Sequence, residues 1–398
     1  MAQTMATKPA TPQRGFSLKF TDLFVALGIV LLVVGASGMW QRLTEGLAPT
    51  ELNSYVPWGL WVGFYDYLVW LEVGSLLVFT TLVYIVNFKP LAKFKPVVYF
   101  TGFIVLLMAL LIVLLDLGQP TRFFYVYLSP DFGSMITWMV WLHTIYLIIL
   151  AVKLVLVLDK APSSLAAKKD QILKWLAYTT LPLGLALILV SGSIFGVVAA
   201  RPLWNTSSLP LMFFVSSLAA GSALLALLAV LFWPNRQSDE YRQVVGRLAR
   251  LTAWLLLAGA AAAAVIGLTF LYQGSPARAE AVNLILTGPF WWSFWVLHLL
   301  VGVAIPLLIL FTQAKRPAWV GIASLLSVVT FVVVTLNIVI PVLVTPELED
   351  LALAYVDPKM NFNYVPNLSE WLFMAFIFGL GSLLFGLGMR LLPVRSAE

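Results

Sequence analysis

The sequence predicts an all-α integral membrane protein with about ten transmembrane helices. Composition is the first reason: 61% of the 398 residues are hydrophobic, 11% are charged, and the mean hydropathy is +0.95. A soluble domain is nearer half apolar and a quarter charged. The second reason is segmentation. Hydrocarbon about 30 Å thick needs roughly 20 apolar residues in a helix. Ten stretches qualify: about 21–40, 58–87, 96–117, 134–157, 173–198, 209–233, 249–273, 288–313, 318–344 and 369–392. Charge placement between them is the third.

The tails and even-numbered loops carry most of the 24 Lys and Arg, among them Lys8, Arg14, Lys19, Lys93, Lys168, Lys169, Arg242, Arg316 and Arg395. The odd-numbered loops carry Arg42, Arg122, Arg201, Arg278 and Lys359. Basic loops stay cytoplasmic. Both termini are therefore expected inside the cell's inner membrane, with the odd loops outward. The net charge of +6 fits helix flanks and needs no nucleic acid. The first span follows a polar tail without twin Arg, and no small-residue cleavage site stands out, so it reads as a retained helix.

Cysteine is absent. No disulfide, thiolate zinc site or Cys-ligated iron–sulfur cluster fits this chain. Two histidines exclude a cytochrome b with two bis-His haems. One bis-His haem would need His143 and His298 together, and none is expected.

Weak matches recur four spans apart. Trp141-Leu142-His143 in span 4 has its counterpart in Trp295-Val296-Leu297-His298 of span 8. Gly74-Ser75 in span 2 is matched by Gly221-Ser222 in span 6. Asp116-Leu117-Gly118-Gln119-Pro120 ends span 3 as Tyr272-Gln273-Gly274-Ser275-Pro276 ends span 7. An even offset keeps the copies in one orientation. The chain then divides into a cytoplasmic tail (1–20), a flanking helix and outer loop (21–57), a four-helix bundle (58–200), a second bundle (201–345), and an acidic outer loop with a last helix and tail (346–398). That loop holds Glu347, Glu349, Asp350 and Asp357. A docking surface and plain solvation both explain it.

Ionisable groups in a span cost about 2.5–3.5 kcal/mol on insertion scales, so function is the default reading. Helices 2–5 hold Asp66, Glu72, Asp116, His143 and Lys153; helices 6–9 hold only His298 and Asn337 of similar polarity. Asp66 and His143 lie at similar depths below the outer mouth. A carboxylate and an imidazole at one level suit the two ends of a quinone head and can exchange its protons. Trp58, Trp61, Tyr65, Tyr67, Trp138 and Trp141 supply an aromatic slot. The structural alternatives are a helix-packing pair for Asp66 and a satisfied interior imidazole for His143. Glu72 lies deeper and Lys153 near the inner end, which sketches a protonatable ladder. Asp66 and Glu72 are about 120° apart around a helix, so a bridge is needed between them. Lys153 has the length to snorkel to the surface instead. Asp116 and Arg122 bracket the outer end of span 3, as an interfacial salt bridge or as a lid over the site. Arg201 has three readings: a partner for Asp116, a ligand contact or a docking residue. Asn337 reads as interhelical glue.

The motifs together resemble one family. Tyr55-Val56-Pro57-Trp58-Gly59, Val73-Gly74-Ser75, Asp116-Leu117-Gly118-Gln119-Pro120-Thr121-Arg122-Phe123 and Ser134-Met135-Ile136-Thr137-Trp138 are similar to the NrfD/polysulfide-reductase membrane-subunit family. Arg201-Pro202-Leu203-Trp204-Asn205-Thr206 looks like its next hallmark. Asn337-Ile338-Val339-Ile340-Pro341, Pro346-Glu347-Leu348-Glu349 and Tyr364-Val365-Pro366 with Ser369-Glu370-Trp371 resemble its longer ten-helix branch of DsrP, HmcC and HybB-type subunits. The resemblance implies a haem-free subunit that binds menaquinone or another quinone. It implies electron exchange with an extracytoplasmic, ferredoxin-like iron–sulfur subunit, wired to a molybdopterin enzyme, a hydrogenase or a multihaem cytochrome. It places the quinone pocket near Asp66. From the residues themselves, Asp66, His143 and Glu72 are the expected proton-handling groups, with Trp58, Tyr65, Asp116, Arg122 and Trp138 around the head. Some members carry histidine where Asp66 stands. The Glu72–Lys153 ladder permits proton translocation without requiring it. The competing class is a secondary transporter with Asp66 and Glu72 as ion-coupling groups; Pro182 and Pro306 inside spans lend it some support.

Overall fold

The computed structural model describes residues 20–394 except 161, 202, 273–275, 349 and 352–356. Lys8, Arg14, Lys19, Arg395, Pro202, Glu349 and Gln273-Gly274-Ser275 lie outside the described residues. Ten described helices are long and apolar enough to cross a membrane. They are α1 (Phe20–Thr44), α2 (Leu60–Ile85), α3 (Lys95–Asp116), α4 (Met135–Val157), α5 (Lys169–Gly196), α6 (Ser208–Phe232), α7 (Asp239–Thr269), α8 (Ser293–Gln313), α9 (Pro317–Leu343) and α10 (Leu368–Leu391). The expected all-α membrane class is the observed one, and the chain is a multi-pass membrane protein.

Most boundaries agree with hydropathy. α7 differs, since it begins at Asp239 and not near 249. Its added turns carry Arg242 and Arg247, which a hydropathy window rejects but a helix accepts outside hydrocarbon. Asp239 and Glu240 in the first turn favour that start by facing the positive end of the helix dipole. A further helix, Pro276–Leu286, precedes α8, and hydropathy does not predict it.

α2 is the centre of the molecule. Nearly every residue from Leu60 to Thr80 is buried. A helix apolar all round can only be stable surrounded, here by protein rather than lipid. α2 lies against α3 and α5, and α4 lies against α3 and α5 in turn, so the four close a ring. α6, α7, α8 and α9 meet in the same cyclic order. The α2–α6 contact is the main one between these groups. There Gly74 and Gly221 face each other: a Cβ on Gly74 would collide with the Ser217 carbonyl, and one on Gly221 with the backbone of Gly74 and Ser75. Close approach of backbones through small residues replaces the hydrophobic drive that lipid cannot supply. α1 and α10 pair through Gly28, Gly35, Gly38, Gly379 and Gly386 in the same way, and α10 rests on α3.

The ends of the bundle differ. One, here the basic face, has Lys93 paired with Glu240 at 2.8 Å and Lys169 with Asp159 at 2.6 Å. The opposite face is tied by buried cations that cap helix ends. Arg42 donates from Nε to the Leu115 carbonyl at 2.5 Å and from Nη2 to that of Leu117 at 2.7 Å, closing α3. Arg201 donates to Val342 O at 3.1 Å and Thr345 O at 2.8 Å, closing α9, and pairs with Glu347 at 2.8 Å. Burial lowers its pKa, and Glu347 opposes that shift. Such groups satisfy carbonyls that a helix end leaves open.

The loop before α10 is folded onto this face. Lys359 Nζ donates to Thr50 O at 2.8 Å, and Phe362 stacks on Tyr55 at 4.7 Å. Asn367 and Glu370 form a reciprocal cap at the start of α10. The buried Tyr364 hydroxyl accepts from Leu60 N at 2.8 Å and donates to Glu370 Oε2. Burial and the Glu370 carboxylate push its pKa far up, so it stays a donor.

Candidate functional site

Tyr65, Asp66 and His143 sit six to nine residues inside the opposite-face ends of α2 and α4, roughly 8–13 Å deep at the helical rise. Ser191 reaches a similar level from the far end of α5. The His143 Nδ1 is 2.9 Å from the Met139 carbonyl. A carbonyl only accepts, so Nδ1 carries the proton and Nε2 of the neutral ring presents its lone pair. That Nε2 is buried without a partner, as is Asp66 Oδ2, while Ser191 Oγ lies within reach of the Tyr65 hydroxyl. Tyr65 lies with its ring 6.0 Å from the imidazole and its hydroxyl 3.0 Å from Met139 Sδ. Buried polar atoms are normally satisfied, so two unsatisfied ones at one depth mark a place for a polar ligand or water.

A second group lies toward the basic face. Both Glu72 oxygens and the Tyr146 hydroxyl are buried without partners, and the Tyr99 hydroxyl lies within reach of that of Tyr84. The carboxylate rests against Gly102 of α3, where a Cβ would be 3.6 Å from Oε1. Lys153 is 1% exposed. Its Nζ donates to Thr180 Oγ1 at 2.5 Å and lies 5.2 Å from the Tyr99 ring centre. It does not snorkel: α5 and α3 enclose it before it reaches water. Below it, a cavity of about 310 Å³ opens at the basic face. Val157 and Leu173 line it, one turn beyond Lys153 on α4 and two beyond Thr180 on α5; Lys95, also in its lining, lies 5.3 Å over Tyr84.

The helix phase corrects the ladder. Tyr65, not Asp66, shares a face of α2 with Glu72, since seven residues are nearly two full turns. Tyr65 and Glu72 both look toward α3 and α4, as their contacts with Met139 and Gly102 show.

Other expected site residues fall elsewhere. Trp58 is half-buried between Phe195 and Trp204, at 5.7 and 5.9 Å. Trp138 is 43% exposed, its indole N–H on Phe132 O at 2.9 Å, so it faces outward. Arg122 is exposed and does not bridge to Asp116. Asp116 instead lies beside Arg42, in the field of Glu370, with Oδ1 unpartnered. Arg201 turns to Glu347 and not to Asp116. Sequence reasoning misses Arg42, Tyr99, Tyr146, Thr180 and Ser191. A buried arginine at a helix end looks like a loop cation in sequence, and Tyr, Ser and Thr are ordinary in spans.

The family model described as "Polysulphide reductase, NrfD" matches residues 49–347. The chain belongs to the NrfD polysulphide reductase family. That match takes in α2 through α9 and every residue of both polar groups, while Arg42 and Glu370 flank it. Among relatives of this NrfD protein, a selenate reductase subunit of Mesobacillus selenatarsenatis is 29% identical, over 92% of this chain and 93% of the relative. The "Hdr-like menaquinol oxidoreductase integral membrane subunit" of Archaeoglobus fulgidus is 26% identical over 94% and 95%. The "Menaquinone reductase, integral membrane subunit" of Nitratidesulfovibrio vulgaris is 25% identical over 96% and 94%.

Proposed function

We propose that this NrfD protein is the quinone-reactive membrane subunit of a multisubunit oxidoreductase. The observation that carries the reading is the pair of buried, unpartnered atoms Asp66 Oδ2 and His143 Nε2 at one depth. Two relatives are named for menaquinol or menaquinone, which supports the substrate class. In quinol oxidation, the lone pair on His143 Nε2 takes one hydroxyl proton and the Asp66 carboxylate the other. Two electrons leave with them. Quinone reduction runs the same transfers backward. Tyr65 packs the head from one side.

Without cysteine, the chain passes electrons to a partner. The partner we propose is an iron–sulfur subunit docked on the opposite face, near Asp66 and His143. We place the basic face, and with it both termini, in the cytoplasm on charge grounds. Helices α2–α5 then form the quinone-binding bundle and α6–α9 its repeat, consistent with the shared cyclic packing order. Lys153, Glu72, Tyr99 and Tyr146 supply protons from the cytoplasmic cavity toward Tyr65. Water bridges their unsatisfied atoms.

The test uses the gently purified native assembly. Quinol is added and the co-purified iron–sulfur clusters are followed by EPR. Inhibitor-sensitive cluster reduction that disappears in an assembled Asp66→Asn complex is expected. Full reduction in that variant would remove Asp66 from the site; no co-purified cluster would remove the anchor role.

A further inference from the structure

Helix α8 holds a feature the proposed quinone site does not use. Ser293–Ala304 is a 12-residue π-helix. Such segments are rare, usually a single turn, and concentrate at functional sites. Pro306 gives it a local cause. It has no N–H for the Gly302 carbonyl four residues back, and its ring crowds that carbonyl. The Gly302 carbonyl accepts instead from Ser327 Oγ of α9 at 2.9 Å.

The wider winding changes which residues meet α9. At 3.6 residues per turn, Ser293 and Gly302 fall on opposite sides of a helix. At about 4.4 per turn they return to one side, with His298 close by. Ser293, His298 and Gly302 are all buried. Ser293 Oγ gives its one proton to the Phe290 carbonyl at 2.6 Å and lies 2.8 Å from one end of the Asn337 amide, which it holds in place. The other end of the amide is buried without a partner. His298 is 8% exposed, and among the described residues its ring makes only aromatic contacts: Phe294 at 5.7 Å and Phe331 at 6.4 Å. Phe331 of α9 lies opposite His298. His298 lies five residues from the start of the span and Asn337 six from the end of α9, so the two are at nearly one depth.

We infer a second ligand site between α8 and α9, built on Asn337 and His298, that holds a neutral, membrane-soluble carbonyl compound between the rings of Phe294 and Phe331. No Asp, Glu, Lys or Arg lies between Ser293 and Gln313 or between Pro317 and Leu343, so a charged ligand has no counter-ion. The free end of the Asn337 amide and the His298 imidazole supply the two hydrogen-bonding groups, and the neutral imidazole can donate to a carbonyl. Flat aromatic walls and paired hydrogen-bonding groups select a quinone head over a lipid ester. This choice rests on the quinone reading above. The site holds the head without turning it over, because it has no carboxylate. Asp66 lies eight residues before Gly74; the residue eight before the matching Gly221 is Phe213, packed on Trp70 at 4.9 Å.

The experiment photolabels the native assembly with an azidoquinone and maps the labelled peptides. Expected is label in 291–343 as well as in α2 or α4, displaced by unlabelled quinone and not by excess phospholipid. Asn337→Leu and His298→Phe should each lower label in 291–343 at least fivefold while leaving the α2 and α4 label, and quinol-driven cluster reduction, unchanged. Ser293→Ala, the mildest change, should lower it less. No label in 291–343, label unmoved by these variants, or displacement by phospholipid alone would overturn the second site. Label lost from α2 and α4 but kept in 291–343 would overturn the first site and leave the second standing.

Discussion

Lys153 of α4 and Thr180 of α5 are joined by a hydrogen bond of 2.5 Å, and neither side chain reaches the surface. An ammonium buried this way is costly unless it is paired or takes part in chemistry. It stands between the basic-face cavity and the Glu72 carboxylate, the one place where it links water to the interior. Lys153→Met should keep the assembly and its clusters but cut quinone-coupled proton movement in proteoliposomes tenfold or more, read with a trapped pH dye. Unchanged proton movement would leave Lys153 as a packing cation.

Thr180→Val separates the hydrogen bond from the charge. A buried donor left without its partner costs about 1–3 kcal/mol. The variant should therefore melt lower than wild type by that order, while Thr180→Ser, which keeps the hydroxyl, should melt close to it. Equal melting of the valine and serine variants would show that the Lys153–Thr180 bond contributes little.

Much of this site was legible in sequence, for a physical reason. An acid, imidazole or amine inside an apolar run stands out, because lipid forbids it without cause. Asp66, Glu72, His143 and Lys153 stand out that way, and all four are buried. Depth was legible too, since it follows from the helical rise. Azimuth was not. Trp138, one turn into α4, faces outward, and α2 alone does not show that its Tyr65–Glu72 face is the one turned to α3 and α4. Helix phase is set by partners such as Met139 and Gly102, which a single span does not reveal. The π-winding of α8 had only Pro306 as a signal, and a proline inside a span more often reads as a kink.

The Gly74–Gly221 crossing makes a sharp mutational prediction. A Cβ at either position meets backbone rather than a flexible side chain. The main contact between the two helix groups would have to open. Gly74→Val and Gly221→Val should abolish recovery of folded subunit, measured by monodisperse yield after solubilisation. Gly259, whose Cβ would lie at an ordinary 3.8 Å from Ala219, should accept alanine with little change.

Arg42 tests the cap on α3. Its two donations, to Leu115 and Leu117, replace helix bonds that the end of α3 lacks. Hydrogen bonds to a charged group are worth about 1.5–3 kcal/mol each. Arg42→Ala should lower thermal stability in detergent by at least that much, and Arg42→Lys should restore only part, since one ammonium cannot reproduce the planar fork. A lysine variant as stable as wild type would mean that charge beside Asp116, not the cap, is what Arg42 provides.

Gly102 gives a graded probe of the Glu72 pocket. The Cβ of an alanine there would be in ordinary contact, 3.6 Å from Glu72 Oε1 and 3.4 Å from Leu76. Gly102→Ala should thus fold and keep proton movement within about twofold, below the tenfold change that 1.4 kcal/mol represents. Gly102→Leu places three more carbons against the carboxylate and displaces the water that its unpartnered oxygens require. It should lower quinone-coupled proton movement at least tenfold while the Asp66–His143 end keeps binding an azidoquinone. Loss of both together would mean that the two polar groups form one cavity rather than two linked stations.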